Sequence, residues 1–190
     1  MCKKSKSELR VYFKNVRNSI NDNAQTLKSE NISKFIKDNF SDFSVYFTYL
    51  SFQNEVKTGD IINYLINNDK KILIPKCDTK KMTMIPVEYR TDDFFAKNEY
   101  GILESDSKEF ADDKIDVIFL PALTVDRHGS RIGFGKGYYD KFINSLNYKP
   151  ILIGLCYDEQ VYSGVLPTDK HDVKLDYVVT DVEIIKICEK

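Results

Sequence analysis

At 190 residues, with 42% hydrophobic and 30% charged residues, the chain is long enough to bury a sizeable core and too apolar to be a largely disordered polymer. Its formal net charge of -1 offers nothing global to attract nucleic acid or an anionic membrane, so any electrostatic steering must be local. No apolar run approaches the roughly 20 residues of a membrane span, and the lysine-rich start MCKKSKSELR has no apolar stretch behind it to make a signal peptide. The expectation is one cytoplasmic domain over residues 1–190, a monomer whose partners are small molecules.

Apolar residues at Leu9, Tyr12, Phe13, Val16 and Ile20 recur at three and four residues and predict a helix over 5–20 with one buried stripe. Lys6, Arg10 and Arg17 repeat at four and seven residues and read as a basic strip on the opposite face, solvated in the case of Arg17. A second helix is predicted over 24–39 from Leu27, Ile32, Phe35, Ile36 and Phe40. The pattern then changes to short β-branched or aromatic runs. VYFTYL (45–50) and KILIP (71–75) read as strands, with GDIINYLINN between them as a helix capped by Thr58. Further strands are expected at MTMIPV (82–87), DVIFLP (116–121), PILIGLCY (150–157), YVVTD (177–181) and VEIIKI (182–187), with a helix at about 137–146. Residues 89–114 have no clean period and are expected to wrap the surface as loop and short turns. Continuous apolar strands interleaved with helices imply an α/β fold, a three-layer α/β/α sandwich around a mostly parallel, mixed sheet.

Cys2, Cys77, Cys156 and Cys188 form no C-x-x-C pair and have no histidine at ligand spacing, which argues against structural zinc. Cys77 and Cys156 close apolar runs and read as small, partly buried hydrophobes without a catalytic role.

The stretch RIGFGKGYYDKF (131–142) sets three glycines at every second position where a loop follows a strand and enters a helix. Free amides and the positive end of the helix dipole face a ligand at such a place, and glycine permits both positive φ and close approach, so an anion such as phosphate fits. Arg131 and Lys136 add positive charge, and arginine can clamp two phosphate oxygens at once. Asp140 would oppose an anion unless a cation intervenes; Mg²⁺ held by one carboxylate and by phosphate oxygens removes that conflict. The alternative is a tight turn with no ligand, in which Tyr138 and Tyr139 pack the core and Asp140 is solvated. The spacing matches neither the dinucleotide fingerprint nor the Walker loop.

Four segments in order, KSELRVYFKNVR (6–17), LSFQNEVKT (50–58), FLPALTVDRHGSRIGFGKGYYDKF (119–142) and LPTDKHDVKLDYVVTD (166–181), resemble the 5-formyltetrahydrofolate cyclo-ligase family, also called methenyltetrahydrofolate synthetases. The R-x-G-x-G-x-G-Y-Y-D element is distinctive of that family. The resemblance implies an ATP- and Mg²⁺-dependent ring closure of 5-formyltetrahydrofolate to 5,10-methenyltetrahydrofolate, with release of ADP and phosphate through a phosphorylated formyl group. By analogy, Lys6, Arg10, Arg131, Gly133, Gly135, Lys136, Gly137, Tyr138 and Tyr139 bind ATP, and Asp140 and Asp172 hold magnesium. Leu50, Glu55, Phe134, Gly135, Lys136, Gly137 and Tyr138 contact the folate, and Arg131, Lys136 and Tyr138 carry the chemistry. Glu55 has a bland alternative as a helix-entry carboxylate beside Thr58, and Asp172 as a surface-loop aspartate. His128 and His171 are read as loop residues. Ser105, in GILES (101–105), stands where the family commonly has proline, and Phe134 and Lys136 occupy positions at which the family varies. Two other functions stay open at this point: a non-catalytic nucleotide or folate binder, and a sugar-phosphate isomerase of similar architecture.

Overall fold

Residues 4–78, 82–91, 95–97, 103–105, 110 and 114–188 are described by a computed structural model. Helix α1 (Lys6–Ser19) starts at Ser5, whose hydroxyl accepts the Glu8 amide while Glu8 Oε2 accepts the Ser5 amide at 2.7 Å, satisfying two donors that a helix start leaves open. Its buried positions correct the sequence reading. Leu9, Phe13 and Arg17 are buried, Lys6, Arg10 and Val16 are half-buried, and Tyr12 is 52% exposed. The basic and apolar residues therefore share one face, since 6, 10, 13 and 17 follow the same three-and-four spacing as the apolar stripe. Helix α2 (Asp22–Asn39) is capped by Asn21, which accepts the Ala24 amide at 2.9 Å. It buries Ile32 and Ile36 but also Gln25, Ser29 and Ser33, and it leaves Leu27 64% exposed against expectation.

The remaining elements are β1 (Val45–Phe47), α3 (Gly59–Asn67), β2 (Lys71–Asp78), β3 (Thr83–Glu88), β4 (Phe95–Lys97), β5 (Leu103–Ser105), β6 (Val117–Pro121), β7 (Thr124–Asp126), β8 (Arg131–Ile132), α4 (Tyr138–Ser145), β9 (Ile151–Leu155), a 3₁₀ turn (Asp158–Gln160), β10 (Val161–Tyr162), β11 (Tyr177–Val179) and β12 (Ile184–Lys186). The main sheet has the order β12-β11-β9-β6-β1-β2-β3, parallel from β11 to β2 with an antiparallel strand at each edge. Alternate residues of the buried strands feed two cores. Tyr46, Val117, Phe119 and Ile153 meet Ile32, Ile36, Ile61 and Leu65 on one side, while Phe47, Ile118, Leu120 and Leu152 meet Phe142 on the other. This is the three-layer sandwich that unbroken apolar strands require.

Four local expectations differ. The strand at 45–50 ends at Phe47, with a last bond from the Thr48 amide to the Leu73 carbonyl at 2.9 Å, after which the Tyr49 carbonyl accepts the buried Thr58 hydroxyl at 2.7 Å. Thr58 accordingly makes no side-chain cap for α3, although it occupies the cap position. Within 89–114, β4 and β5 pair antiparallel, too short for a visible period of two, and the residues of that stretch outside the described set include Gly101 and Ile102 of GILES. The chain between the strand at 116–121 and the glycines that begin at Gly133 folds as a hairpin, β7 on β8, with β10 beside it. Buried Asp126 shapes its turn by accepting the amides of His128 and Ser130 through Oδ1 and that of Leu166 through Oδ2.

The topology selects a location for chemistry. From β1 the chain runs outward to β2 and β3, then returns to place β6 on the other side of β1 and continues to β9 and β11. The order reverses between β1 and β6, and the crevice beyond the carboxyl ends of such a pair is where open α/β sheets bind ligands.

Candidate active site

Two segments leave the sheet at this reversal. After β1, residues 49–55 curl back on themselves: Gln53 takes a left-handed φ of 52°, the Glu55 amide donates to the Phe52 carbonyl at 3.2 Å, and Glu55 Oε2 accepts the Phe52 amide at 3.0 Å. That turn aims Glu55 inward, where its side chain is 8% exposed and lies 4.0 Å from Arg17. Burial pushes the Glu55 carboxyl up from its ordinary range, opposed by the Phe52 amide and by Arg17. Its position excludes the simple helix-entry role beside Thr58. The phenols of Tyr49 and Tyr139 are likewise pushed up by burial and stay neutral.

After β6 and the hairpin, the glycine segment enters α4. Gly135 and Gly137 hold φ of 93° and 70°, conformations that a side chain strains, and Gly137 occupies the helix's N-terminal cap. Arg10 lies across this segment: its Nε donates to the Gly133 carbonyl at 3.0 Å, and a Cβ on Gly135 would meet Arg10 Cζ at 3.1 Å. Arg131, 6% exposed, donates from Nη2 to Asp140 Oδ1 at 2.9 Å, and its Nε is buried without a hydrogen-bond partner. Tyr138 donates its hydroxyl to Met82 Sδ at 3.6 Å.

Asp140 and Asp172 are neighbours through the backbone. Asp140 Oδ1 also accepts the amide of Val173 at 3.1 Å, the residue next to Asp172. Asp172 accepts the Asp169 amide at 2.7 Å and the Lys6 ammonium, which also reaches Asp169 at 2.6 Å. Burial would raise the Asp172 carboxyl, but Lys6 and the Asp169 amide hold it below its ordinary value. As a magnesium site this is a sparse set of hard oxygen donors: two carboxylates, with no group of three or more histidine, cysteine or acidic residues among the described residues. It fits an ion that draws its other ligands from water and substrate phosphate, and it does not fit an all-protein cage.

Every residue assigned to ATP, folate or magnesium from the sequence lines one open cleft of about 1130 Å³: Lys6 and Arg10 from α1, Leu50 and Glu55 from the turn after β1, Arg131 and Gly133 through Asp140 from the glycine segment, and Asp172. Arg131 and Ile132 belong to β8, and Ile132 faces Leu9 and Phe13 in a small third core. Sequence reasoning missed the wall formed by Pro75, Cys77 and Met84. Pro75 and Cys77 are alternate residues of β2, and Met84 is the register partner of Cys77 across β3. The sequence pattern ends the strand at Pro75, and the register that sets Met84 beside Cys77 is marked in neither strand alone. His171 and Asp169 also line the cleft, from the loop that carries Asp172.

The description of the 5-formyltetrahydrofolate cyclo-ligase family matches residues 2–181. The chain belongs to this family. Cyclo-ligases are enzymes of the ligase class that work in folate one-carbon metabolism, and this chain is one of them. The chain is 34% identical over 143 residues to 5-formyltetrahydrofolate cyclo-ligase of Mus musculus, covering 69% of this chain and 70% of that one. Over 150 residues it is 30% identical to the Saccharomyces cerevisiae cyclo-ligase, covering 67% and 70%. The solved 5,10-methenyltetrahydrofolate synthetase of Aquifex aeolicus has the same fold, with a TM-score of 0.82 over 97% of this chain and 94% of that one at 24% identity. Among the described residues of this cyclo-ligase family member, no helix is long and apolar enough to cross a membrane.

Proposed function

We propose that this cyclo-ligase closes the ring of 5-formyltetrahydrofolate to 5,10-methenyltetrahydrofolate, converting ATP to ADP and phosphate with Mg²⁺ bound, as a cytoplasmic monomer. The observation that carries the reading is that a cation-lined end (Lys6, Arg10, Arg131) and a buried carboxylate (Glu55) open into one cleft at the reversal between β1 and β6.

The chemistry explains why both ends are needed. A formamide oxygen is a poor leaving group. Transfer of the γ-phosphoryl group to that oxygen forms an O–P bond and breaks the bond to ADP. The neighbouring arylamine nitrogen then attacks the formyl carbon and gives up its proton, the C–O bond breaks, and phosphate leaves with the oxygen, the electron pair and that proton. Little covalent work falls to the protein, so its contribution is positioning and charge neutralisation.

In this reading the glycine segment receives the triphosphate on its amides and on the start of α4, with Lys6 and Arg10 against its phosphates and Tyr139 beneath. Arg131 meets the charge that develops on the transferring group, and its unpartnered buried Nε is a donor in place for a substrate oxygen. Lys136 and Tyr138 flank the reacting groups at the mouth of the cleft. Asp140 and Asp172 would hold magnesium, which would supply charge neutralisation to the triphosphate. Across the cleft, Glu55 accepts N–H groups of the pterin, Leu50 packs its ring, and Phe134, 51% exposed, covers it.

The test is ADP release measured with each component omitted in turn. ADP and the absorbance of the methenyl product must both depend on 5-formyltetrahydrofolate and Mg²⁺. ADP release that ignores the folate would sink the reading.

A further inference from the structure

Arg17 has no part in the function as read so far, yet its side chain, 2% exposed, is buried beside Glu55, which lines the cleft. Its Nη1 is 4.0 Å from Glu55 Oε1, and its guanidinium carbon stands 5.3 Å from the centre of the Phe134 ring. Its Nε is buried without a hydrogen-bond partner. Arginine keeps its charge in proteins, and a buried cation is costly unless its charge is met. A packing role alone would be filled better by an apolar side chain of similar length.

We propose that Arg17 is a positioning residue of the folate site, acting through Glu55: it holds that carboxylate ionised and oriented, so that the pterin finds an acceptor in place. The proposal rests on the reading of Glu55 as the pterin acceptor. A carboxylate accepts hydrogen bonds on both oxygens, whereas a protonated carboxyl turns one of them into a donor. The groups facing Glu55 come from four elements. Arg17 comes from α1, and the Phe52 amide and Tyr49 come from the segment after β1. Tyr139 comes from α4, and Tyr157, from the stretch after β9, donates its hydroxyl to the Glu55 carbonyl at 3.1 Å. The three phenols are neutral, each pushed up first by burial. Among these groups Arg17 is the cation, so it opposes the upward push that burial gives Glu55.

The sign of the effect follows. Without Arg17 the Glu55 carboxyl titrates at higher pH, so folate binding that needs the carboxylate fails earlier on acidification. Folate KM is measured against pH for wild type, R17M, R17K, E55Q and R17M/E55Q. R17M is expected to raise folate KM about tenfold at neutral pH and to move the acid limb of the profile to higher pH, with ATP KM unchanged. R17K should recover part of both. In the E55Q background, R17M should change folate KM by less than about twofold, because the partner through which Arg17 acts is gone.

If E55Q alone raises folate KM but the R17M acid limb coincides with wild type, the proposal is overturned while the reading of Glu55 stands. If E55Q leaves folate KM unmoved, the Glu55 reading falls and takes the proposal with it. Where R17M is too unstable to assay, R17M/E55Q leaves neither charge of the pair buried without its partner and is compared with E55Q alone. A ratio within about twofold supports the proposal, and a further rise of about tenfold overturns it.

Discussion

Arg131 Nη2 donates to Asp140 Oδ1 at 2.9 Å, nine residues along the chain, across the turn that joins β8 to α4. The contact couples the cation proposed to stabilise transfer to the carboxylate proposed to hold magnesium. R131A is expected to lower kcat by about 10²- to 10³-fold, as for loss of a group that acts only in the transition state, with folate KM changed far less. D140N should raise the Mg²⁺ concentration needed for half-maximal rate. Steady-state kinetics at varied folate and varied Mg²⁺ check both, and equal loss in kcat and folate binding would refute the role of Arg131.

Gly133 and Gly135 give opposite expectations within one segment. At Gly135 a side chain would be strained at φ 93° and would press on Arg10 at 3.1 Å, whereas at Gly133 the nearest atom to an added Cβ is Arg131 Nη1 at an ordinary 3.7 Å. G135A should destabilise the fold by about 1 kcal/mol and raise ATP KM. G133A should be mild in both. Melting temperatures and ATP titration of the rate distinguish them, and equal behaviour of the two variants would mean that the positive φ of Gly135 has no bearing on the nucleotide.

Lys6 ties α1 to the loop that carries Asp172, through Asp169 at 2.6 Å and through Asp172 itself. K6M removes a charged donor and leaves two carboxylates unneutralised beside the proposed phosphate site. ATP KM should rise about tenfold or more, with folate KM within about twofold. An unchanged ATP KM would assign Lys6 to holding the loop alone.

Asp60 provides a pH-dependent contribution away from the cleft. It accepts Lys37 at 2.7 Å and Ser33 at 2.6 Å, and these bonds, Lys37 first, hold its carboxyl below the ordinary 3.8. A depressed carboxyl stabilises the fold above its unfolded value and loses that contribution as pH falls through the folded one. D60N should therefore lower the melting temperature at pH 7 by about 2 °C or less, as expected for an exposed pair, and the gap should close below pH 3.8. A gap that persists at the lowest pH would point to packing as its cause.

The elements most legible in the sequence were those whose own residues enforce them. Ser5 and Glu8 mark the start of α1 by a local exchange of hydrogen bonds, and β6 and β9 are unbroken apolar runs because both of their faces are buried. The glycine segment was legible for the same reason, since Gly135 and Gly137 take conformations few other residues adopt. Arg17 was not: its spacing from Lys6 and Arg10 is that of an ordinary solvated strip, and nothing local marks the burial of a cation. Pro75, Cys77 and Met84 also escaped notice, because a wall made by two paired strands depends on a register that neither strand carries alone.

The α/β class, the family and the residue types proposed for a triphosphate and a pterin can be read from the chain alone, because local periodicity, glycine spacing and motif order are properties of the chain. Long-range packing is what brings α1, the turn after β1 and the segment before α4 to one cleft, buries Arg17 beside Glu55, and joins Asp140 to the Asp172 loop through Val173. Those relations depend on the reversal of strand order between β1 and β6, a long-range packing of both sheet faces that no local stretch encodes.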